Sequence, residues 1–187
     1  MFSVTDVFRI LGGLLLLNSV LSWWFTSSTT WGYEGRYLDT QYYKFQYNTF
    51  PKGQIELTID ELMLYNGSDP GLPIYIAIYH KIYDVSASRS LYTAPLGRYL
   101  MMAGKESARM LATACIGKND ELTSDLRGLD EEYAMGEIFK WQSYYEGKSK
   151  YWQVGYLKDG DEVWKDKEIP SPCTKPLKIP QNVGSLQ

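Results

Sequence analysis

The segment from Val7 to Phe25 constrains this chain most, because it is long and apolar enough to cross a membrane. It reads VFRILGGLLLLNSVLSWWF, close to the roughly 20 residues that a helix needs to span a bilayer core. Trp23 and Trp24 lie near its end, where aromatic side chains favour the membrane interface. A competing interpretation is a cleaved signal peptide with small residues such as Ser22 before the cut. We expect an uncleaved anchor over residues 1–28, because both bulky tryptophans would stand beside that cut.

The charges that flank this segment leave its orientation open. Arg9 on one side competes with only Arg36 and Lys44 on the other. A further marker of location follows at Asn66-Gly67-Ser68, an acceptor sequence for N-glycosylation at a predicted turn.

Composition excludes two classes of function. The formal net charge is −3, and no run of Lys and Arg forms the basic stripe of a nucleic-acid-binding protein. The chain has one histidine, His80, and two cysteines, Cys115 and Cys173, with no Cys-x-x-Cys spacing. These residues do not support a zinc site or an iron site with two histidine ligands, and they are too few for a disulfide framework.

Local patterns divide the rest of the chain into three parts. Residues 29–54 form an aromatic linker without a clear helical or strand period, which either lies along the membrane surface or wraps the domain. Residues 55–158 carry the folded domain. Residues 159–187 hold four prolines, Pro170, Pro172, Pro176 and Pro180, and predict an extended or disordered tail.

Within residues 55–158 the patterns predict short helices interleaved with strands that pair locally, which is typical of an α+β domain. Thr58 and Glu61 have the spacing of a capping box at a helix start. The predicted elements are a helix over 60–65, a strand hairpin over 73–85 that turns near His80 and has one buried face, helices over 105–114 and 130–145, and a closing strand over 151–157.

Several ordered motifs together carry a family resemblance. The run LTIDELMLYNGSDPGLPIYIAIYHKIYDVSASRSLYTAPLGRYLMMAGKESARMLATAC, followed by DLRGL and KYWQVGYL, resembles the membrane-associated progesterone receptor family. The resemblance covers roughly Ile55 to Leu157 and implies a cytochrome b5-like heme/steroid-binding domain. The LRGL segment and the C-terminal half are similar to the branch that holds neuferricin and neudesin.

The resemblance also implies a binding site. The family replaces the two histidines of cytochrome b5 with one tyrosinate, and Tyr99 matches that axial iron ligand. Tyr92, Lys150 and Tyr151 match the residues that approach the heme or its carboxylates. A phenolate is a hard donor that suits ferric iron, and a Lys is a suitable donor to propionates. His80 is instead expected to face solvent in a hairpin turn.

Two departures from the family pattern keep an alternative open. The loop from Tyr92 to Tyr99 is one residue longer and has lost most of its glycines, and Leu100 replaces a small residue. These changes would swing Tyr99 away from the iron or narrow the pocket. Tyr99 is therefore either a heme ligand or a tyrosine that packs the empty groove of a heme-free domain.

We weigh two functions. The first is a membrane-anchored heme-binding protein, with a sterol as a further ligand, which supports sterol or lipid metabolism in the endoplasmic reticulum or another endomembrane. Its expected partners are membrane lipid and a membrane protein such as a cytochrome P450. The second is a heme-free interaction module, the accessory subunit of a membrane protein complex. An enzyme is not expected, because the sequence has no phosphate loop, nucleophile elbow or paired carboxylates in a defined context.

Overall fold

The computed structural model describes residues 3–171 and residue 173. The described residues form four strands in one mixed sheet and six α-helices. Their bounds are α1 Val4–Thr26, α2 Thr40–Thr49, β1 Ile55–Leu57, α3 Ile59–Leu62, β2 Tyr75–Ile78, β3 Lys81–Asp84, α4 Arg89–Tyr92, α5 Ala108–Thr113, α6 Glu131–Gly147 and β4 Trp152–Leu157. Short 3-10 turns lie at Arg36–Leu38, Met63–Tyr65, Ser86–Ser88, Leu100–Met102 and Asn119–Glu121.

The predicted N-terminal helix is present as α1. Ser3 and Asp6 form a capping box at its start. Within the described residues, α1 is the one helix long and apolar enough to be a candidate membrane span. Its apolar side chains are exposed, and only Ser22 is buried. The Ser22 hydroxyl donates to the Ser28 carbonyl oxygen and accepts from the Trp31 backbone N–H. The chain therefore turns back onto the end of α1 as soon as the helix stops.

The sheet has the order β1-β4-β3-β2, with β1 parallel to β4 and the other pairs antiparallel. The predicted closing strand β4 is a central strand, because β1 adds a partner that the sequence patterns did not predict. The expectation of one buried face for β2 is wrong, since all four of its side chains are buried. Ile76 and Ile78 pack toward α5 and α6, whereas Tyr75 and Ala77 join a second core on the other face of the sheet.

The aromatic linker supplies part of the cover of that second core. Its segment from Thr40 to Thr49 is the helix α2, started by the Asp39 side chain. Tyr42 and Phe45 of α2 pack against the second core, and the Tyr42 ring meets Trp152 edge-on with 5.3 Å between centroids. This part of the linker therefore wraps the domain, which is one of the two alternatives that the sequence left open.

The described part of the tail, 159–171, packs on the domain, in contrast to the extended or disordered segment that the prolines predict. The Trp164 indole N–H donates to the Ser124 hydroxyl, and the Arg127 guanidinium lies 5.0 Å from the Trp164 ring centroid. Buried Arg109 donates to the carbonyl oxygens of Asp125 and Arg127 and reaches that of Pro170. The other three prolines lie outside the described residues.

The two cysteines, too few for a framework, nevertheless pair with each other. Cys115 and Cys173 form a disulfide with 6.1 Å between their Cα atoms, which links the end of α5 to the tail. The division of the chain at residues 55 and 158 stays a prediction, since segments on both sides of it pack against the domain.

We expect Tyr42→Ala to lower the free energy of unfolding by about 2 kcal/mol, because the substitution uncovers Trp152 and removes an aromatic pair. Tyr47→Ala is the matched control on the same helix, because the Tyr47 side chain is 85% exposed. Urea unfolding followed by tryptophan fluorescence measures both. Equal effects of the two substitutions would show that α2 does not cover the core.

Asp84 predicts a pH dependence of stability. Burial raises the pKa of this carboxyl to about 6, although the Ser86 backbone N–H donates to it. The folded state thus holds the proton more tightly than the unfolded chain, whose aspartates titrate near pH ~4. Stability is fully present below about pH 4 and falls as the pH rises to about 6.

Asp84→Asn keeps an acceptor for the Ser86 N–H and removes the buried charge. At pH 7 it should raise the free energy of unfolding by about 2 kcal/mol over the native chain, and at pH 4 by almost nothing. Urea melts from pH 4 to 7.5 measure this difference, with exposed Asp120→Asn as the control. A gain independent of pH would rule out titration of Asp84 as its source.

Candidate functional site

Six tyrosines from five segments of the chain meet on the α6 side of the sheet. We call this group the tyrosine cluster: Tyr83, Tyr92, Tyr99, Tyr144, Tyr145 and Tyr151. Tyr145 of α6 is at its centre, with its ring centroid 5.6 Å from Tyr83, 5.3 Å from Tyr144 and 5.4 Å from Tyr151. The Tyr92 and Tyr99 rings lie 5.7 Å apart. The cluster therefore brings α4, α6, the strand β3 and the residue just before β4 together around aromatic contacts.

The inner tyrosines use their hydroxyls within the protein. Tyr92 is 1% exposed and its hydroxyl is hydrogen-bonded to that of Tyr145 at 2.9 Å. Tyr151 is 3% exposed and its hydroxyl donates to the Ser88 hydroxyl at 2.9 Å. Burial is the main cause that raises the pKa of Tyr92, Tyr145 and Tyr151, so all three stay protonated at neutral pH.

Tyr99 differs from these tyrosines because it lies at the edge of the cluster. Its side chain is half-buried, and its hydroxyl makes no hydrogen bond with any residue that the structure describes. Burial is the main cause of the raised pKa of Tyr144, and the nearby phenols of Tyr151 and Tyr99 add smaller contributions. Tyr99 thus lies close to the other phenols, and its part in ligand binding stays a prediction.

The longer loop before Tyr99 is held by its backbone. The Tyr99 N–H donates to the Leu91 carbonyl oxygen at 2.8 Å, and the Gly97 N–H donates to that of Thr93 at 2.9 Å. A Cβ at Gly97 would lie 2.4 Å from the Thr93 oxygen, so only glycine fits this approach. Leu100 is 44% exposed, and narrowing of the pocket by its side chain stays a prediction.

Lys150 completes the set of residues that the resemblance implied. Its side chain is half-buried, and its amine lies 5.3 Å from the Tyr151 ring centroid. The structure therefore brings Tyr92, Tyr99, Lys150 and Tyr151 together, but it directs the Tyr92 and Tyr151 hydroxyls inward. The part that each of the four plays in binding stays a prediction.

A groove of about 600 Å³ between α5 and α6 adjoins the cluster, and Tyr144 belongs to both. Its lining is mainly apolar, and it consists of Leu111, Ala112, Thr113, Ala114, Leu129, Asp130, Tyr133, Ala134, Glu137, Lys140, Trp141 and Tyr144. The sequence patterns did not single out Tyr144 as a site residue. Its spacing of three from Trp141 on a helix is the signal that places both side chains on one face.

The start of α5 is positioned by the buried carboxylate of Glu106. It accepts hydrogen bonds from the backbone N–H groups of Tyr79 and His80 in the hairpin turn, and of Ser107 and Ala108 at the helix start. The turn itself has positive φ at Tyr79 and His80. Because one carboxylate binds both segments, the hairpin sets where α5 and the groove begin.

His80 lies in the hairpin turn, as expected, but its side chain does not face solvent. It is 19% exposed, and its Nε2 lies 3.1 Å from the Asp161 carboxylate. The difference arises because the tail folds back over the turn, where His80 packs on Gly160.

Comparison with known proteins identifies the class of this domain. No family model matches the chain. It is 39% identical over 116 residues to membrane steroid-binding protein 2 of Arabidopsis thaliana, covering 62% of this chain and 48% of that protein. It is 36% identical over 95 residues to probable steroid-binding protein 3 of Arabidopsis thaliana, covering 50% of this chain and 91% of that protein. It is 33% identical over 111 residues to membrane-associated progesterone receptor component 2 of Homo sapiens, covering 57% of this chain and 47% of that protein.

A solved structure is similar as well: an Arabidopsis thaliana protein described as having a cytochrome b5-like fold is 33% identical, with a TM-score of 0.49, over 58% of this chain and 95% of that one. The chain belongs to the family of membrane steroid-binding proteins and membrane-associated progesterone receptor components. The predicted family and the predicted α+β class of the fold are confirmed. The chain spans about half the length of membrane steroid-binding protein 2 and of membrane-associated progesterone receptor component 2. Placement in the neuferricin and neudesin branch stays a prediction.

We expect Tyr92→Phe to lower the free energy of unfolding by about 1–2 kcal/mol, because the buried Tyr145 hydroxyl loses its partner. Tyr156→Phe should change it by less than about 0.5 kcal/mol, since Tyr156 is 41% exposed on the strand β4. Urea melts of the two variants give the comparison. An unaffected Tyr92→Phe would mean that water or a ligand satisfies these hydroxyls.

Proposed function

We propose that this chain is a membrane-anchored heme-binding protein in which the Tyr99 phenolate is the iron ligand. The observation that carries the proposal is the Tyr99 hydroxyl, which lies at the edge of the tyrosine cluster without a hydrogen-bond partner among the described residues. The hydroxyls of Tyr83, Tyr92, Tyr145 and Tyr151 all have protein partners. Tyr99 and Tyr144 are the two phenols of this group without a hydrogen-bond partner among the described residues, and Tyr99 is the one at the position of the family's iron ligand.

The available donors fit an iron of the ferric state. Phenolate oxygen is a hard donor that prefers ferric iron, whereas the thioethers of neighbouring Met101 and Met102 prefer softer, reduced iron. The single histidine of the chain is in the hairpin turn and faces Asp161. Bound heme supplies an iron centre whose low reduction potential suits binding or sensing better than rapid electron transfer.

The other implied residues take different parts in the proposal. Lys150 would donate to a heme carboxylate, because its amine lies 5.3 Å from the Tyr151 ring centroid and has no ion pair among the described residues. Tyr92 and Tyr151 would support Tyr99 through packing, since their buried hydroxyls are already bonded. The residues present would therefore supply one iron ligand, Tyr99, and one donor to a heme carboxylate, Lys150. The remaining tyrosines of the cluster would pack behind them.

The groove between α5 and α6 favours a second candidate function, the binding of a steroid or sterol. Its volume of about 600 Å³ and its mainly apolar lining suit a rigid hydrophobic molecule. The compared relatives are named for steroid or progesterone binding. With α1 in the bilayer, either ligand would be held near membrane lipid and near other proteins of the same membrane. In this proposal the chain binds and presents a ligand, and catalysis belongs to a partner.

Tyr99→Phe tests the heme proposal, because it removes the oxygen donor and keeps the ring. The full chain in detergent is titrated with ferric heme while the absorbance spectrum is recorded. The native protein should give a tyrosinate-type ferric spectrum, and Tyr99→Phe should lose it with at least a tenfold weaker affinity. The melting temperature of the heme-free variant should stay within a few degrees, because its packing is kept.

Tyr156→Phe is the matched control, and it should leave the spectrum and the affinity unchanged. An unaltered spectrum in Tyr99→Phe would show that another group binds the iron. A native protein that takes up no heme but binds a fluorescent sterol, with loss on Ala112→Trp in the groove, would favour the second function. Binding of neither ligand would favour the heme-free interaction module.

A further inference from the structure

The disulfide between Cys115 and Cys173 carries information about the compartment of the domain. These are the two cysteines of the chain, and both are in the bond. Disulfides persist in oxidising compartments and are rare in the cytosol, where thiol reductants keep cysteines reduced. The bond closes a loop of 58 residues and fixes the tail beside Arg109 and Arg127. The disulfide therefore has a structural role, because it holds the tail against the domain.

A second, independent feature points to the same compartment. Asn66-Gly67-Ser68 is the one N-glycosylation acceptor sequence in the chain. Asn66 and Ser68 are both exposed, in the turn that follows the helix α3. The Asn66 side-chain oxygen accepts from the Ser68 backbone N–H at 2.9 Å, and Gly67 takes the positive φ that this turn needs. The amide nitrogen of Asn66 makes no hydrogen bond to a described residue and is open to modification.

We propose that the folded domain lies on the non-cytosolic side of the membrane, with an N-linked glycan on Asn66 and a permanent disulfide between Cys115 and Cys173. Both features follow α1, the one candidate membrane span in the described residues, so they lie on the same side of the bilayer. The flanking charges left that orientation open. A side that allows both modifications is the lumen of the secretory pathway or the cell exterior.

The two covalent steps have defined chemistry. The Asn66 amide nitrogen bonds to the anomeric carbon of a lipid-linked oligosaccharide, the bond from that carbon to the lipid pyrophosphate breaks, and the amide proton leaves. The two cysteine thiols lose two electrons and two protons to a protein disulfide of the compartment, which is reduced to a dithiol.

Expression of the full chain in a cultured eukaryotic cell line, with membranes isolated afterwards, tests this proposal. We expect one mobility shift that an endoglycosidase reverses, and that both Asn66→Gln and Ser68→Ala abolish. Asn119→Gln is the matched control, because Asn119 is exposed and has no acceptor sequence, and it should keep the shift. Because the two substitutions change different residues of the acceptor sequence, loss of the shift in both indicates loss of the glycan rather than misfolding of one variant.

Thiol labelling gives a readout that does not depend on the glycan. A mass-tagged maleimide added to the denatured chain should label two cysteines after reduction and none before it. Protease added to sealed microsomes should leave the domain intact until detergent is present. Labelling without reduction, or digestion in sealed microsomes, would overturn the proposal. A protected, disulfide-bonded domain without a glycan would overturn the assignment of Asn66.

Discussion

The buried carboxylate of Glu106 is the interaction on which the arrangement of this domain depends. It is 2% exposed, and it accepts from four backbone N–H groups of two separate segments. Removing it would leave those groups unpaired in the interior, at a cost of about 1–3 kcal/mol for each. Residues beside it pair with the edge of the strand β2, where the Ala77 N–H donates to the Lys105 carbonyl oxygen. The sheet edge, the hairpin turn and the start of α5 are thus fixed as one unit.

This unit determines the site, because α5 forms one wall of the groove and packs against α6. The helix α6 in turn carries Tyr144 and Tyr145, which meet tyrosines from α4 and from the start of β4. Burial keeps the inner phenols neutral and bonded to each other, whereas Tyr99 stays at the edge. The heme proposal rests on the division between the inner tyrosines, whose hydroxyls have partners, and the half-buried Tyr99 and Tyr144, of which Tyr99 is at the position of the family's iron ligand.

The tail closes the opposite end of the domain. Arg109 is fully buried within α5, and its guanidinium holds the loop at Asp125 and the tail at Pro170. The disulfide between Cys115 and Cys173 attaches the same tail to the domain just after Pro170. Charge-assisted hydrogen bonds and a covalent link therefore stabilise a segment that has few apolar residues of its own. That geometry connects the stability of the fold to the oxidising compartment that we infer.

Local sequence determined much of this protein. The capping box of Thr58 and Glu61, the hairpin turn at His80 and the helix that starts at Asp130 were predicted, because each depends on contacts within a few residues. The family motifs also brought the positions Tyr92, Tyr99, Lys150 and Tyr151 into one group. Tertiary structure alone decided which way their hydroxyls point, that α2 covers Trp152, and that the tail pairs Cys173 with Cys115. These features depend on partners distant in sequence, and a local pattern of residues carries no information about which distant group will satisfy a buried hydroxyl or cover an apolar face.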